Sequence, residues 1–216
     1  MWWVPPVDLV GSVAGLVDGL IFTGGEPTIH PEYLTEVFSQ CRDRQIFTGF
    51  ESNGYMTRST AEGLAKVTDF IAIGLKASLD PDFYKQRFGV ETQPILEAAT
   101  IFAESGSDIL LTDLTDPKLW EDKRAFETLT EWIVQNLGSD TRLVLSPMET
   151  VDRVRVTSQE HREAYLEAYR TLATKAGLRQ VFFQIDARKR SEERREYLTR
   201  IGLYRAMEQL GMRLPD

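Results

Sequence analysis

Residues 24–27 read Gly-Gly-Glu-Pro, directly after the apolar stretch Gly19–Thr23. Glycines admit positive φ and let a ligand approach bare main chain, while proline fixes the turn. Glu26 adds a carboxylate that can accept hydrogen bonds from an ammonium group. Polar residues also follow the later apolar stretches: Glu51-Ser52-Asn53, Lys76, Asp113 and Ser146. Three chemistries are open to such a set. One is recognition of a small polar ligand; another is oxygen ligation of a single metal ion by Glu26, Glu51 and Asp113. The third is a Schiff-base lysine at Lys76, which needs a depressed pKa that neighbouring acids would raise instead. Each feature also has an ordinary structural reading, as a tight turn at Gly24–Pro27, a turn pair at Asn53-Gly54, or an ion pair between Glu51 and Lys76.

The elements that must hold these residues are legible in the pattern. Six short β-branched or aromatic runs recur: Gly19–Thr23, Gln45–Phe50, Asp69–Gly74, Asp108–Thr112, Thr141–Ser146 and Arg179–Gln184. Amphipathic spacing predicts helices between and around them, at Val7–Val17, Pro31–Asp43, Ser59–Lys66, Ile95–Glu104, Lys118–Leu137, Ser158–Ala176 and Glu192–Leu210. Pro31–Asp43 puts Leu34, Val37, Phe38 and Cys41 on one face, and Gly177 is placed as a helix stop. Strand alternating with helix means parallel βαβ units. Polar residues repeated at the strand ends favour a closed or partly closed β/α barrel over a doubly wound sheet, because ligands bind at that mouth.

Composition narrows the classes. The 216 residues, with no linker or low-complexity break, predict a single domain, residues 187–216 forming a charged helical extension. A net charge of -8 disfavours nucleic-acid phosphates, and the mixed-sign run from Arg188 to Glu196 reads as a solvated helix. No apolar run is long enough for a bilayer and the first residues do not resemble a secretory leader, so the expected location is cytoplasmic. Cys41 is the one cysteine and reads as a buried core residue. His30 and His161 read as surface or capping residues rather than ligands. Tyr165, Tyr169 and Phe182-Phe183 read as core.

The order "FTGGEPTIHPEYL", "ESNGY" and "DFIAIGLK" resembles the core of radical S-adenosylmethionine enzymes, in the activating-enzyme branch related to pyruvate formate-lyase activating enzyme. The likeness runs from about Leu9 to Gln184. It implies a partial (β/α)6-type barrel and S-adenosylmethionine as cofactor. In such proteins the Gly24-Gly25-Glu26-Pro27 turn holds the methionine amino group through main-chain carbonyls and, in some, the carboxylate. Ser52 and Asn53 match the segment that reaches the ribose or carboxylate. Glu51 matches an acidic position of the branch, and Lys76 matches the lysine of an Asp-x-Lys segment that neutralises the cofactor carboxylate.

The departures are equally specific. The family holds a [4Fe-4S] cluster in a C-x3-C-x2-C loop, and this chain has no such triad. Gly74 stands where the aspartate of Asp-x-Lys is expected, and Leu143-Val144-Leu145-Ser146-Pro147 lacks the histidine of that strand. The strand and cluster loop expected before Gly19 are read as absent, and Trp2-Trp3 as a patch over the exposed edge or the mark of an interface. These departures lead to the expectation of a fragment, or a cluster-less variant, of a radical S-adenosylmethionine oxidoreductase or activase. The alternative is a non-catalytic barrel that binds S-adenosylmethionine or another small ligand. The implied partners are a protein substrate or an intact homologue.

Overall fold

The computed structural model describes residues 4–115, 123–147 and 159–183. Within them six parallel strands form one open sheet in the order of the chain: β1 (Gly19–Phe22), β2 (Phe47–Ser52), β3 (Phe70–Lys76), β4 (Asp108–Thr115), β5 (Arg142–Pro147) and β6 (Gln180–Phe183). The helices are α1 (Pro6–Val13), α2 (Pro31–Arg42), α3 (Arg58–Ala65), α4 (Pro81–Phe88), α5 (Gln93–Glu104), α6 (Arg124–Asn136) and α7 (Gln159–Ala176). Strand order never reverses, so every right-handed crossover returns on the same side and the helices pack against one face. That separates the sheet from a doubly wound one, whose order reverses at a switch point. The expected six-strand alternation and its barrel-like winding are therefore what the chain forms.

Period-two alternation assigns each side chain to a face. Phe50 is 0% exposed and its ring meets Phe38 of α2 and Phe102 of α5, so it points into the helix layer. Register then carries Phe22, Ile71, Leu111 and Leu143 to the same side. The opposite face carries Ile21, Gly49, Glu51, Ala72, Gly74, Lys76, Thr112 and Val144. Ile21, on edge strand β1, is 50% exposed there.

Local chemistry explains the helix boundaries. Pro31 opens α2, Glu32 complements the positive end of its dipole and Arg42 the negative end. Leu34, Val37, Phe38 and Cys41 form its buried stripe, as their spacing predicts. α3 starts one residue earlier than expected because Thr57, not Ser59, caps it, accepting from the Thr60 N–H at 3.2 Å. α4 lies where no helix was expected. Asp80 accepts from the Phe83 N–H at 2.7 Å, Pro81 opens the helix and Gly89 closes it in the left-handed conformation. Gly177 ends α7 as expected.

One expectation needs correcting. Phe182 is 50% exposed rather than core, because β6 points it away from the helices, while Phe183 on the other side lies under the Arg170 guanidinium. Tyr169 does belong to the core. Trp2-Trp3, the run from Arg188 to Glu196, the helix proposed at Glu192–Leu210, the extension 187–216 and the His161 side chain lie outside the described residues. No helix among the described residues is long and apolar enough to cross a membrane.

Candidate functional site

The turn after β1 and the end of β2 are joined by one carboxylate. Glu26 Oε1 accepts from the Thr28 N–H (3.2 Å), the Thr28 hydroxyl (2.7 Å) and the Ser52 hydroxyl (2.8 Å). Its Oε2 accepts from the Asn53 N–H at 2.8 Å. Ser52 in turn accepts from the Gly54 N–H at 3.0 Å, and the Asn53 side-chain oxygen accepts from the Tyr55 N–H at 2.7 Å. Glu26 is thus a structural hub that welds the turn after β1 to the loop after β2. Its carboxylate is engaged with the protein's own donors rather than left for an ammonium group.

What the turn leaves open is main chain. Gly24 and Gly25 have φ of 81° and 60°, conformations that a side chain resists. A β-carbon built on either has nothing within 4 Å. Among the described residues, no hydrogen bond is made to either carbonyl. Beside them on the far face, the Thr23 hydroxyl donates to Glu51 Oε2 at 2.6 Å, while Lys76 bonds elsewhere, so the alternative of a Glu51–Lys76 ion pair is not what forms. Glu51 and Asn53 are exposed.

Lys76 closes the set from β3. Its Nζ folds back to donate to the Gly74 carbonyl at 2.7 Å, across a position with no side chain. A β-carbon at residue 74 would stand 3.3 Å from that nitrogen. The Lys76 N–H donates to the Tyr84 hydroxyl at 3.0 Å. Burial pushes that phenol up to about 12, so it stays neutral. Burial also pushes the Lys76 ammonium below the ordinary lysine range, although Asp113 and Glu26 each pull it back. The neighbouring acids do act in the expected upward direction, but desolvation outweighs their charge.

Asp113 is misplaced in the sequence reading. In register it pairs with Leu75, while Gly74 and Lys76 pair with Thr112 and Leu114, so its side chain enters the helix-packed side. It is 0% exposed and accepts from the Ser78 N–H (2.9 Å) and hydroxyl (2.7 Å). A metal site shared by Glu26, Glu51 and Asp113 fails for that reason, and no candidate metal group exists among the described residues. His30 is exposed at the entry of α2.

Ser78 sits in a feature with no sequence signal. Ala77, Ser78 and Leu79, all buried, have φ of 46°, 54° and 56°. A left-handed conformation costs about 1–2 kcal/mol for each such residue. It persists only where surrounding contacts impose it.

Burial pushes the Asp113 carboxyl above its usual value, against the opposing effects of Ser78 and Lys76. The folded state then binds its proton more tightly than the unfolded chain. Stability is lost as pH rises from about the ordinary 3.8 through the raised value. Asp113→Asn, which retains an acceptor for the Ser78 N–H, should lack this loss. Urea titrations across the acidic range should show the wild type falling relative to the variant; a constant difference would contradict it.

The donor set can be tested against the cofactors the resemblance implies. Cys41, the chain's one thiol, is 0% exposed in the α2 core, and burial pushes its pKa up. These residues do not fit a [4Fe-4S] cluster. They do fit the amino-acid end of S-adenosylmethionine, with unspent carbonyls for an ammonium and a lysine for a carboxylate. Thr23, Thr28, Ser78 and Tyr84 are the participants missed by sequence reasoning. Only Thr28, two residues from Glu26, carried a recognisable turn signal.

A family model described as the radical SAM superfamily matches residues 7–129. The chain is 38% identical over 78 residues to the 4-hydroxyphenylacetate decarboxylase activating enzyme of Clostridium scatologenes, covering 36% of this chain and 25% of that protein. It is 25% identical over 133 residues to the pyruvate formate-lyase-activating enzyme of Clostridium pasteurianum, covering 62% and 55%. The chain thus spans between a quarter and about half the length of these relatives. A crystal structure of a domain of pyruvate-formate lyase-activating enzyme from Bacteroides vulgatus ATCC 8482 shares the fold, with a TM-score of 0.62 at 19% identity, covering 77% of this chain and 98% of that one. With the family model spanning more than half of its length, and with β1 to β4 inside the matched region, the chain belongs to the radical SAM superfamily.

Proposed function

We propose that the chain is an activase-like member of that superfamily whose β1–β3 strand ends bind S-adenosylmethionine, and that the molecule it serves is a protein. Gly24 and Gly25 offer carbonyls to the ammonium of the methionine moiety. Pro27 and Glu26 hold that turn rigid, and Glu26 reaches the ligand through the loop it fastens. Lys76 offers its ammonium to the carboxylate. Ser52 supports the loop from below, while Asn53 and Glu51 are exposed at its rim. When bound, S-adenosylmethionine supplies a sulfonium whose carbon–sulfur bond an electron donor can break. The protein's own part is to grip and orient that cofactor. The reading of a protein substrate is supported by the relatives, which are named as activating enzymes of other enzymes.

The observation that carries this reading is the pair of left-handed glycines with open space where side chains would be. It gives a direct test. Gly24→Ala and Gly25→Ala should each cost only about 1–2 kcal/mol in stability, the strain of one left-handed alanine. Each should weaken S-adenosylmethionine binding at least about tenfold, because the new methyl occupies the approach to the carbonyls. Calorimetric titration of the folded variants checks both. Wild-type protein that takes up no S-adenosylmethionine, or variants that bind it as well as wild type, would refute the proposal.

A further inference from the structure

We infer that Asp113 and Ser78 form a clamp that positions Lys76 at the strand-end rim, which makes Asp113 a positioning residue for the ligand site although it faces the other side of the sheet. The inference deepens the proposed S-adenosylmethionine site and rests on that reading only for the ligand that Lys76 meets.

The geometry argues it step by step. Lys76 is the last residue of β3, and the next three residues all lie at positive φ. None is a glycine, so nothing intrinsic to Ala77, Ser78 or Leu79 favours that path. The middle residue is fastened twice by a carboxylate with no exposed surface, through its N–H at 2.9 Å and its hydroxyl at 2.7 Å. Asp113 lies on β4, whose register with β3 is continuous from Phe70–Asp108 to Lys76–Leu114. The anchor is therefore rigid relative to the strand that carries Lys76. On the other flank, Tyr84 of α4 accepts the Lys76 N–H, and the left-handed turn delivers the chain to Asp80, the cap of α4. Lys76 is consequently fixed from both sides, by a turn that cannot relax while Asp113 holds it. Its ammonium then rests on the Gly74 carbonyl instead of extending into water.

The charged and titratable groups around Lys76 are Asp113, Glu26 and Tyr84. They make the test sensitive to sign. If Asp113 acted on Lys76 as a nearby charge alone, deleting that charge would depress the lysine pKa further. If it acts as a clamp, deleting it lets Lys76 swing into solvent and its pKa rises toward 10.5, the unperturbed value. The experiment uses the full chain with lysines labelled at Cε with 13C and Lys76 assigned by Lys76→Arg, titrated by NMR.

Asp113→Ala should raise the Lys76 pKa, whereas Asp113→Asn, which keeps an acceptor for the Ser78 N–H, should leave it low or lower it. Ser78→Ala removes one of the two bonds while retaining the carboxylate, and should give a smaller rise. Should Asp113→Ala not fold, Ser78→Ala decides the matter. A lysine signal that falls in Asp113→Ala, or stays unmoved in Ser78→Ala, would overturn the clamp. A parallel titration with S-adenosylmethionine should show binding about tenfold weaker in Asp113→Ala, or in Ser78→Ala if that variant alone folds. Absence of binding by wild type would sink the ligand assignment while leaving the lysine titration to judge the clamp.

Discussion

Glu26→Ala is expected to lower stability by about 2–4 kcal/mol and to weaken S-adenosylmethionine binding at least about a hundredfold. The reason lies in the four donors that converge on this carboxylate: the Thr28 N–H and hydroxyl, the Ser52 hydroxyl and the Asn53 N–H. Hydrogen bonds to a charged acceptor contribute about 1.5–3 kcal/mol each when well shielded. Glu26 is only half-buried, so water recovers part of each and the sum is far smaller than four times that figure. The two losses are of similar size, a hundredfold in binding being about 2.7 kcal/mol, because the same carboxylate ties the turn after β1 to the loop after β2. Glu26→Gln separates the two effects. Its amide oxygen can replace Oε1 toward Ser52 and Thr28, but its nitrogen cannot accept from the Asn53 N–H. Stability should then fall by about half as much, while binding remains impaired. Denaturant unfolding beside calorimetric binding reads both quantities, and a variant that loses binding with no stability change would mean that Glu26 contacts the ligand itself.

The fold was legible because its signals are local. Short apolar runs separated by amphipathic stretches give parallel βαβ units, and the observed strands fall on all six runs, with ends shifted by up to three residues. The helix α4 went unread although Asp80-Pro81 and Gly89 are good boundary residues. Among its residues only Tyr84 is buried, so no hydrophobic stripe marks it. For the candidate site, the strand-end placement of its residues was legible and their wiring was not. Gly24, Gly25, Glu26, Glu51, Ser52, Asn53 and Lys76 do gather at neighbouring strand ends. Which oxygen serves which donor depends on register, and register is a tertiary fact.

Asp113 shows why. Its flanks, Leu110-Leu111-Thr112 and Leu114-Thr115, put apolar and polar residues on both faces of β4, so alternation alone gives no side. A one-residue slip would return its carboxylate to the face of Lys76. The left-handed turn at residues 77–79 is less readable still, since alanine, serine and leucine do not favour positive φ. Sequence reasoning fails there because the conformation is imposed from β4 by a partner 35 positions away. Local rules broken under tertiary compulsion are a mark of functional positions, and here the break adjoins the lysine of the candidate site.

Gly54→Ala should be the most damaging single methyl in the site, destabilising the protein by about 3–5 kcal/mol from strain and overpacking together. Gly54 has φ of 77°, and a β-carbon there would lie 2.8 Å from Ile73 Cγ2 and 2.9 Å from Ile95 Cγ2. Ile73 and Ile95 are both buried on the helix-packed side, so neither can retreat without disturbing β3 or α5. The contrast with Gly24 and Gly25 is physical. All three have positive φ, but only Gly54 is closed over by protein, while the other two face open space. Because the Gly54 N–H donates to Ser52, displacing it also pulls on the hydroxyl that Glu26 accepts. Gly54→Ala should therefore lose stability first and binding as a consequence, the reverse of the order expected for Gly24→Ala. Thermal unfolding and S-adenosylmethionine titration of both variants make the comparison. Equal stability losses in the two would show that packing around Gly54 is looser than the contacts with Ile73 and Ile95 require.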